Sequence, residues 1–123
     1  MRTLVTGGAG FIGSNVADAL LAEGHEVRIV DDLTTGFPEN VPADATFFQG
    51  SVTDLDLLRE ACEGVEVVFH QAAARSVFRS VEVPLETDTV NVHGTLSVLE
   101  TARLAAARRV VLASSSSIYG GAD

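Results

Sequence analysis

This 123-residue sequence contains no lysine, one cysteine and one tyrosine, and no apolar run approaching the roughly eighteen residues that a membrane helix requires. With Cys62 alone, neither an intramolecular disulfide nor a multi-cysteine metal site can form, and a reducing compartment fits. The opening Met1-Arg2-Thr3-Leu4-Val5-Thr6 has no basic region leading into an apolar stretch and a small-residue cleavage site. The expectation is a cytoplasmic protein, neither secreted nor membrane-spanning. Basic charge is also scarce: eight arginines stand against 17 acidic residues, for a formal net charge of −9. A field of that sign repels polyanions, which argues against a general nucleic-acid or anionic-membrane surface. Any anionic cofactor must be held by local dipoles and hydrogen bonds.

The chain has room for one domain, residues 1–123. Its 46% hydrophobic and 20% charged residues are near the averages of a globular protein. Short β-branched runs alternate with stretches of helical period, the pattern of βαβ units around a parallel sheet. Strands are predicted at Thr3 to Thr6, Val27 to Val30, Thr46 to Gln49, Val65 to His70 and Val110 to Ala113. A first helix carries Phe11, Ile12, Val16, Ala19, Leu20 and Leu21 and stops at Gly24. A second is capped by Thr53 or Asp54, carries Leu55, Leu57, Leu58 and Ala61, and ends at Gly64. A third runs from about Pro84 through Ala107, with Val90, Leu96, Val98 and Leu99 on its apolar side. Leu33 to Asp44 reads as a loop. The expected fold is α/β, a doubly wound parallel sheet in the order 3-2-1-4-5, with a ligand crevice where the order reverses between strands 1 and 4.

The first strand leads into Gly7-Gly8-Ala9-Gly10-Phe11-Ile12-Gly13, a G-x-x-G-x-x-G spacing at Gly7, Gly10 and Gly13. Such a loop needs one glycine for the tight turn, one so that a pyrophosphate can approach the backbone, and one so that helix and strand can pack closely. The helix N-terminus beyond it favours negative charge. The second strand ends in Asp31-Asp32, and an acid there accepts hydrogen bonds from adenosine ribose hydroxyls while repelling a 2′-phosphate, which selects NAD over NADP. The two point in different directions, so Asp31 is the expected ribose contact, with Asp32 either assisting or serving as a solvated, loop-capping carboxylate.

Thr6 to Gly13 with Asp31-Asp32-Leu33, joined by Phe69-His70-Gln71-Ala72-Ala73, Asn91-Val92-His93-Gly94-Thr95 and Ser114 through Gly120, resembles the extended short-chain dehydrogenase/reductases, in particular the NAD-dependent nucleotide-sugar epimerases and dehydratases. The likeness runs along all 123 residues. It implies transient oxidation of a nucleotide-linked hexose by bound NAD, with epimerisation ahead of dehydration. By the same resemblance, Gln71, Ala72 and Ala73 would line the cofactor, Arg75 would lie near the phosphates or the nicotinamide ribose, and Asn91 would buttress the active site. Ser115 would be the catalytic hydroxyl on the sugar oxygen. Ser51 stands where many relatives have an aspartate for the adenine amino group, which weakens that contact; Val52 would still pack on the ring. Relatives often dimerise through helices including the one matching Pro84 to Ala107, so a homodimer is a further expectation.

Several of these residues have plainer readings. His70 reads as a packed core histidine rather than a base, and Cys62 as an apolar filler. Asn91 could sit on a solvated helix face, Arg75 could pair with a surface carboxylate, and the serine run could bond its own backbone. The family's chemistry uses a Tyr-x-x-x-Lys pair, and Tyr119, with Asp123 four residues on, does not form one. The expectation is therefore that these 123 residues are the N-terminal part of the enzyme, without the substrate-binding part, and do not turn over by themselves. Two other classes remain open: a non-catalytic NAD-binding module, and a short reductase acting on a carbonyl substrate, against which Asp31 argues.

Overall fold

A computed structural model describes residues 1–34, 36–71 and 93–112. The elements are strand β1 (Arg2–Thr6), helix α1 (Phe11–Ala22), strand β2 (Glu26–Asp31), a 3-10 turn (Pro38–Asn40), strand β3 (Thr46–Gln49), helix α2 (Leu55–Cys62), strand β4 (Val67–His70), helix α3 (Gly94–Leu104) and strand β5 (Arg109–Leu112). The five strands form one parallel sheet in the order β3-β2-β1-β4-β5, as the alternation of strand and helix patterns predicted.

Successive side chains on a strand face opposite ways, so the central strands supply two cores. Leu4, Val30 and Val68 pack with Leu58, Ala61 and Cys62 of α2 and Val98 and Ala102 of α3. Val5, Val27 and Ile29 pack on the other face with Ala17 of α1, joined by Val16, Leu20, Leu21 and Phe69. The sheet is thus wound on both sides. No helix among the described residues is long and apolar enough to cross a membrane.

Element edges depart from the sequence reading for local reasons. The fourth strand begins at Val67 rather than Val65, because Val65 still closes the turn leaving α2 through its N–H to Cys62 O at 2.9 Å. The loop from Leu33 contains a 3-10 turn, initiated by Pro38. Of the two caps considered for α2, Asp54 is the one used, accepting from Leu57 N at 3.2 Å.

The apolar faces differ more. Phe11 and Ile12 are 81% and 49% exposed, and α1 buries Gly13 and Ala17 instead. Leu96 and Leu99 of α3 are exposed, while Gly94, Ser97, Val98, Thr101 and Ala102 face the sheet. Val16, Leu20, Leu21 and Val98 of the predicted apolar faces do pack on the cores, but a helix packed tightly on a sheet also presents small side chains to it, and leucine periodicity does not find those. The third helix ends at Leu104 rather than Ala107; Pro84 and Val90 lie outside the described residues, as does Ala113.

Candidate dinucleotide site

The site begins where β1 runs out. Gly7 takes φ 74°, in the left-handed region, and donates its N–H to Val30 O at 2.7 Å, which ties the exit of β1 to the end of β2. The chain then doubles back, Gly10 N to Gly7 O at 3.1 Å, and the first helical bond follows, Ser14 N to Gly10 O at 2.9 Å. A side chain on Gly13 would collide with the Gly7 carbonyl oxygen and lie 2.8 Å from its carbon, so the first turn of α1 rests directly on the loop. Gly10 is different. Among the described residues a Cβ there would meet only Gly7 O, at 3.3 Å, a contact the loop could nearly absorb. Those residues give weak reason for glycine at this position.

Gly10 is also the N-cap of α1. Among the described residues no side chain caps that helix end, and no acidic residue sits in its first turn, so they leave its N-terminal dipole uncompensated. Phe11 and Ile12 flank the opening as exposed apolar residues.

Asp31, at the tip of β2, is 8% exposed and holds two backbone amides: Ala9 N to Oδ2 at 2.9 Å and Leu33 N to Oδ1 at 2.7 Å. Each oxygen keeps a further lone pair for a ribose hydroxyl. Asp32 is exposed, and its Oδ1 accepts from Thr34 N at 2.9 Å, the loop-capping arrangement that was one of its two readings. Leu33 between them has φ 63°, a strained conformation for leucine that the Asp31 bond holds in place.

The loop has an outer support that motif reading did not find. Ala9 O accepts from Phe37 N and from Asn40 Nδ2, each at 3.0 Å, and Gly36 packs so closely that a Cβ on it would lie 2.8 Å from the Ala9 carbonyl. Ala9 is therefore held from one side by Asp31 and from the other by the 36–40 segment. The only sequence trace of this support was a glycine and an asparagine inside a loop, at no diagnostic spacing.

On the far side of the switch point, Gln71 N donates to both Thr6 O and Thr6 Oγ1 at 3.0 Å, so its amide is engaged within the fold. His70 is buried, with Nδ1 2.7 Å from Thr6 Oγ1 and Nε2 3.0 Å from Thr95 Oγ1. Burial lowers its pKa below the ordinary 6.5, which fits the packed-histidine reading. Gly50 N bonds Asp31 O at 3.0 Å and so brings Ser51 and Val52 beside the β2 tip. Ser51 Oγ is 2.8 Å from Thr53 Oγ1 and also accepts from Thr53 N, while Val52 is 4% exposed and packed in the core. Ala72, Ala73, Arg75, Asn91, Ser115 and Tyr119 lie outside the described residues.

A glycine loop leading into an uncapped helix where the strand order reverses, with a tethered acid at the neighbouring strand tip, defines a dinucleotide-binding Rossmann module. Comparison with known proteins narrows the class. The sequence model of the NAD dependent epimerase/dehydratase family matches residues 3–123, and the chain belongs to that family. It is 49% identical to a UDP-glucose 4-epimerase of Mycolicibacterium smegmatis, over 98% of this chain and 41% of that protein. Among solved structures it superposes on the Thermotoga maritima UDP-glucose 4-epimerase with UDP-glucose, with a TM-score of 0.90 and 38% identity over 94% of this chain and 38% of that one. It also superposes on the Thermus thermophilus UDP-glucose 4-epimerase complex with NAD, with a TM-score of 0.82 and 43% identity over 89% and 36% of the two chains. The chain thus spans about two fifths of the length of these relatives.

Proposed function

We propose that residues 1–123 form the NAD-binding domain of a cytoplasmic nucleotide-sugar epimerase, with dehydration as the neighbouring chemistry and a UDP-hexose as the substrate class. Gly10 carries this reading: a glycine with little internal need for its missing side chain, at the uncapped positive end of α1. A pyrophosphate fits that place, since its approach is what a Cβ would block. Asp31, fixed to the glycine loop through Ala9, would accept the adenosine ribose hydroxyls and disfavour a 2′-phosphate.

Bound NAD would supply the acceptor for a transient oxidation of the sugar. The chain's own residues bind and orient. Gly7, Gly10, Phe11, Ile12 and Gly13 would present the loop and the backbone of the first helical turn to the phosphates. Asp31, with Asp32 beside it, would hold the ribose, and Ser51 and Val52 would border the adenine. Gln71, Ala72 and Ala73 would line the cofactor, Arg75 would serve the phosphates or the nicotinamide ribose, and Asn91 would buttress the active site. Ser115 would hydrogen-bond the sugar oxygen at the reacting carbon. These roles rest on membership of the family and on motif positions that match it. A homodimer is part of the same proposal, and the exposed Leu96 and Leu99 of α3 offer it an apolar surface.

Titration of the full-length protein with NAD and with NADP by calorimetry tests the reading. NAD should bind more tightly. Gly10→Val should weaken it by roughly tenfold or more, about 1.4 kcal/mol, since the added branch occupies the pyrophosphate's place. Preference for NADP, or indifference to Gly10→Val, would remove the assignment.

A further inference from the structure

We infer that His70 is a positioning residue for cofactor binding: through Thr6 it fixes the tips of β1 and β4 in the arrangement on which the glycine loop depends. The inference rests on the NAD reading of the site and assigns a part to a residue which that reading leaves as filler.

Thr6 is the last residue of β1, and Gly7 follows it directly. Its place is set on both sides, paired with Val30 on β2 and with His70 on β4. The Thr6 hydroxyl meets His70 Nδ1 at 2.7 Å and also accepts the Gln71 amide at 3.0 Å. The opposite ring nitrogen of His70 reaches Thr95 Oγ1 on α3 at 3.0 Å. One imidazole therefore joins β1, β4 and α3 at the point where the strand order reverses. A neutral ring offers one donor and one acceptor, and each hydroxyl can take either role, so both bonds are made in either tautomer.

Filling space does not require this chemistry. The other residues of β4, Val67, Val68 and Phe69, are apolar, and a buried imidazole with two hydroxyls contributes little net stability over an apolar replacement. Directional bonds do what apolar packing cannot: they set distance and angle at the strand tip. The next residue is Gly7, whose amide to Val30 O starts the loop. A small shift there carries into the Gly10 turn, where positional error is costly for a ligand held by backbone groups.

The two ring nitrogens can be tested separately. In His70→Asn the amide sits near the Nδ1 position and keeps the reach to Thr6, whereas in His70→Gln it sits near the Nε2 position and keeps only the reach to Thr95. Thr6→Val removes the hydroxyl at constant shape, and Thr6→Ser restores it. On the full-length protein, NAD affinity and thermal midpoint are measured for all four, for the Thr6→Val/His70→Gln double variant and for Gly10→Val. The expected result is about three- to tenfold weaker NAD binding in His70→Gln and Thr6→Val, near-native binding in His70→Asn and Thr6→Ser, and a double variant no weaker than the poorer single one. If midpoints fall but NAD affinity stays native in His70→Gln and Thr6→Val, or if His70→Asn binds as poorly as His70→Gln, the inference is overturned. Should Gly10→Val abolish NAD binding while the His70 and Thr6 variants leave it intact, this inference alone fails. Absence of NAD binding by the unaltered protein would remove both it and the site reading.

Discussion

The carboxylate of Asp31 joins two segments at once, accepting Ala9 N with one oxygen and Leu33 N with the other. Asp31→Asn keeps the shape but turns an NH2 group toward one of those amides, leaving two donors face to face in a nearly buried place. The expected cost is about 1–3 kcal/mol of stability together with about tenfold weaker NAD binding, read by denaturant titration and calorimetry. Native stability in that variant would show that the two amides do not depend on the charge. Cys62 poses the opposite case, a group with no polar task. Burial raises its thiol from 9.0 to about 11, only partly offset by the Arg28 guanidinium. A thiol reagent at pH 8 should therefore not react until the protein unfolds, and native-state labelling at a free-thiol rate would contradict its place in the core. At this scale the sequence was legible wherever the geometry follows a local spacing. Gly7, Gly10, Gly13 and Asp31 all obey one. Asn40 does not: it acts on Ala9 across 31 positions through a main-chain carbonyl, and nothing in the identity of either residue signals the pairing.

The helices show why ends and faces are legible to different degrees. After α1, Gly24 takes φ 85° and the chain closes with Gly24 N to Leu21 O and His25 N to Leu20 O, the paired bonds of a left-handed C-terminal cap. Glycine announces that stop in the sequence. After α3 the same two bonds form, Ala106 N to Arg103 O and Ala107 N to Ala102 O, but the left-handed residue is Ala106, with φ 60°. Alanine favours helix, so the sequence pattern runs on to Ala107 while the structure stops at Leu104. The strained alanine makes a prediction: Ala106→Gly should stabilise the protein by about 0.5–1 kcal/mol, because relief of the left-handed penalty outweighs the added backbone entropy of the unfolded chain. A lower thermal midpoint in that variant would mean the cap is not formed. The buried face of α3 was hidden for a related reason. Ser97 and Thr101 face the sheet where the sequence offers leucines at 96 and 99, and hydrophobicity ranks the leucines first.

Among the described residues, two buried titrating groups limit stability from opposite sides of the pH range. His70 has a folded pKa below 6.5, so between that value and 6.5 the unfolded chain binds more protons. Stability is then complete above about pH 6.5 and declines as pH falls toward the folded pKa. Cys62 works the other way: its thiol keeps its proton to about 11 in the folded state against 9.0 when unfolded, so stability declines as pH rises above 9.0. One group lies in the sheet and the other on α2, and a plateau between about 6.5 and 9.0 follows from them jointly. Denaturant unfolding of the full-length protein and of His70→Asn at about pH 5.5 and 7.5 isolates the acid limb, since the carboxylates are common to both. The unaltered protein should lose more stability on acidification than the variant. Equal losses would mean that the imidazole is as readily protonated in the fold as in the open chain, which a ring 5% exposed between Thr6 and Thr95 does not allow.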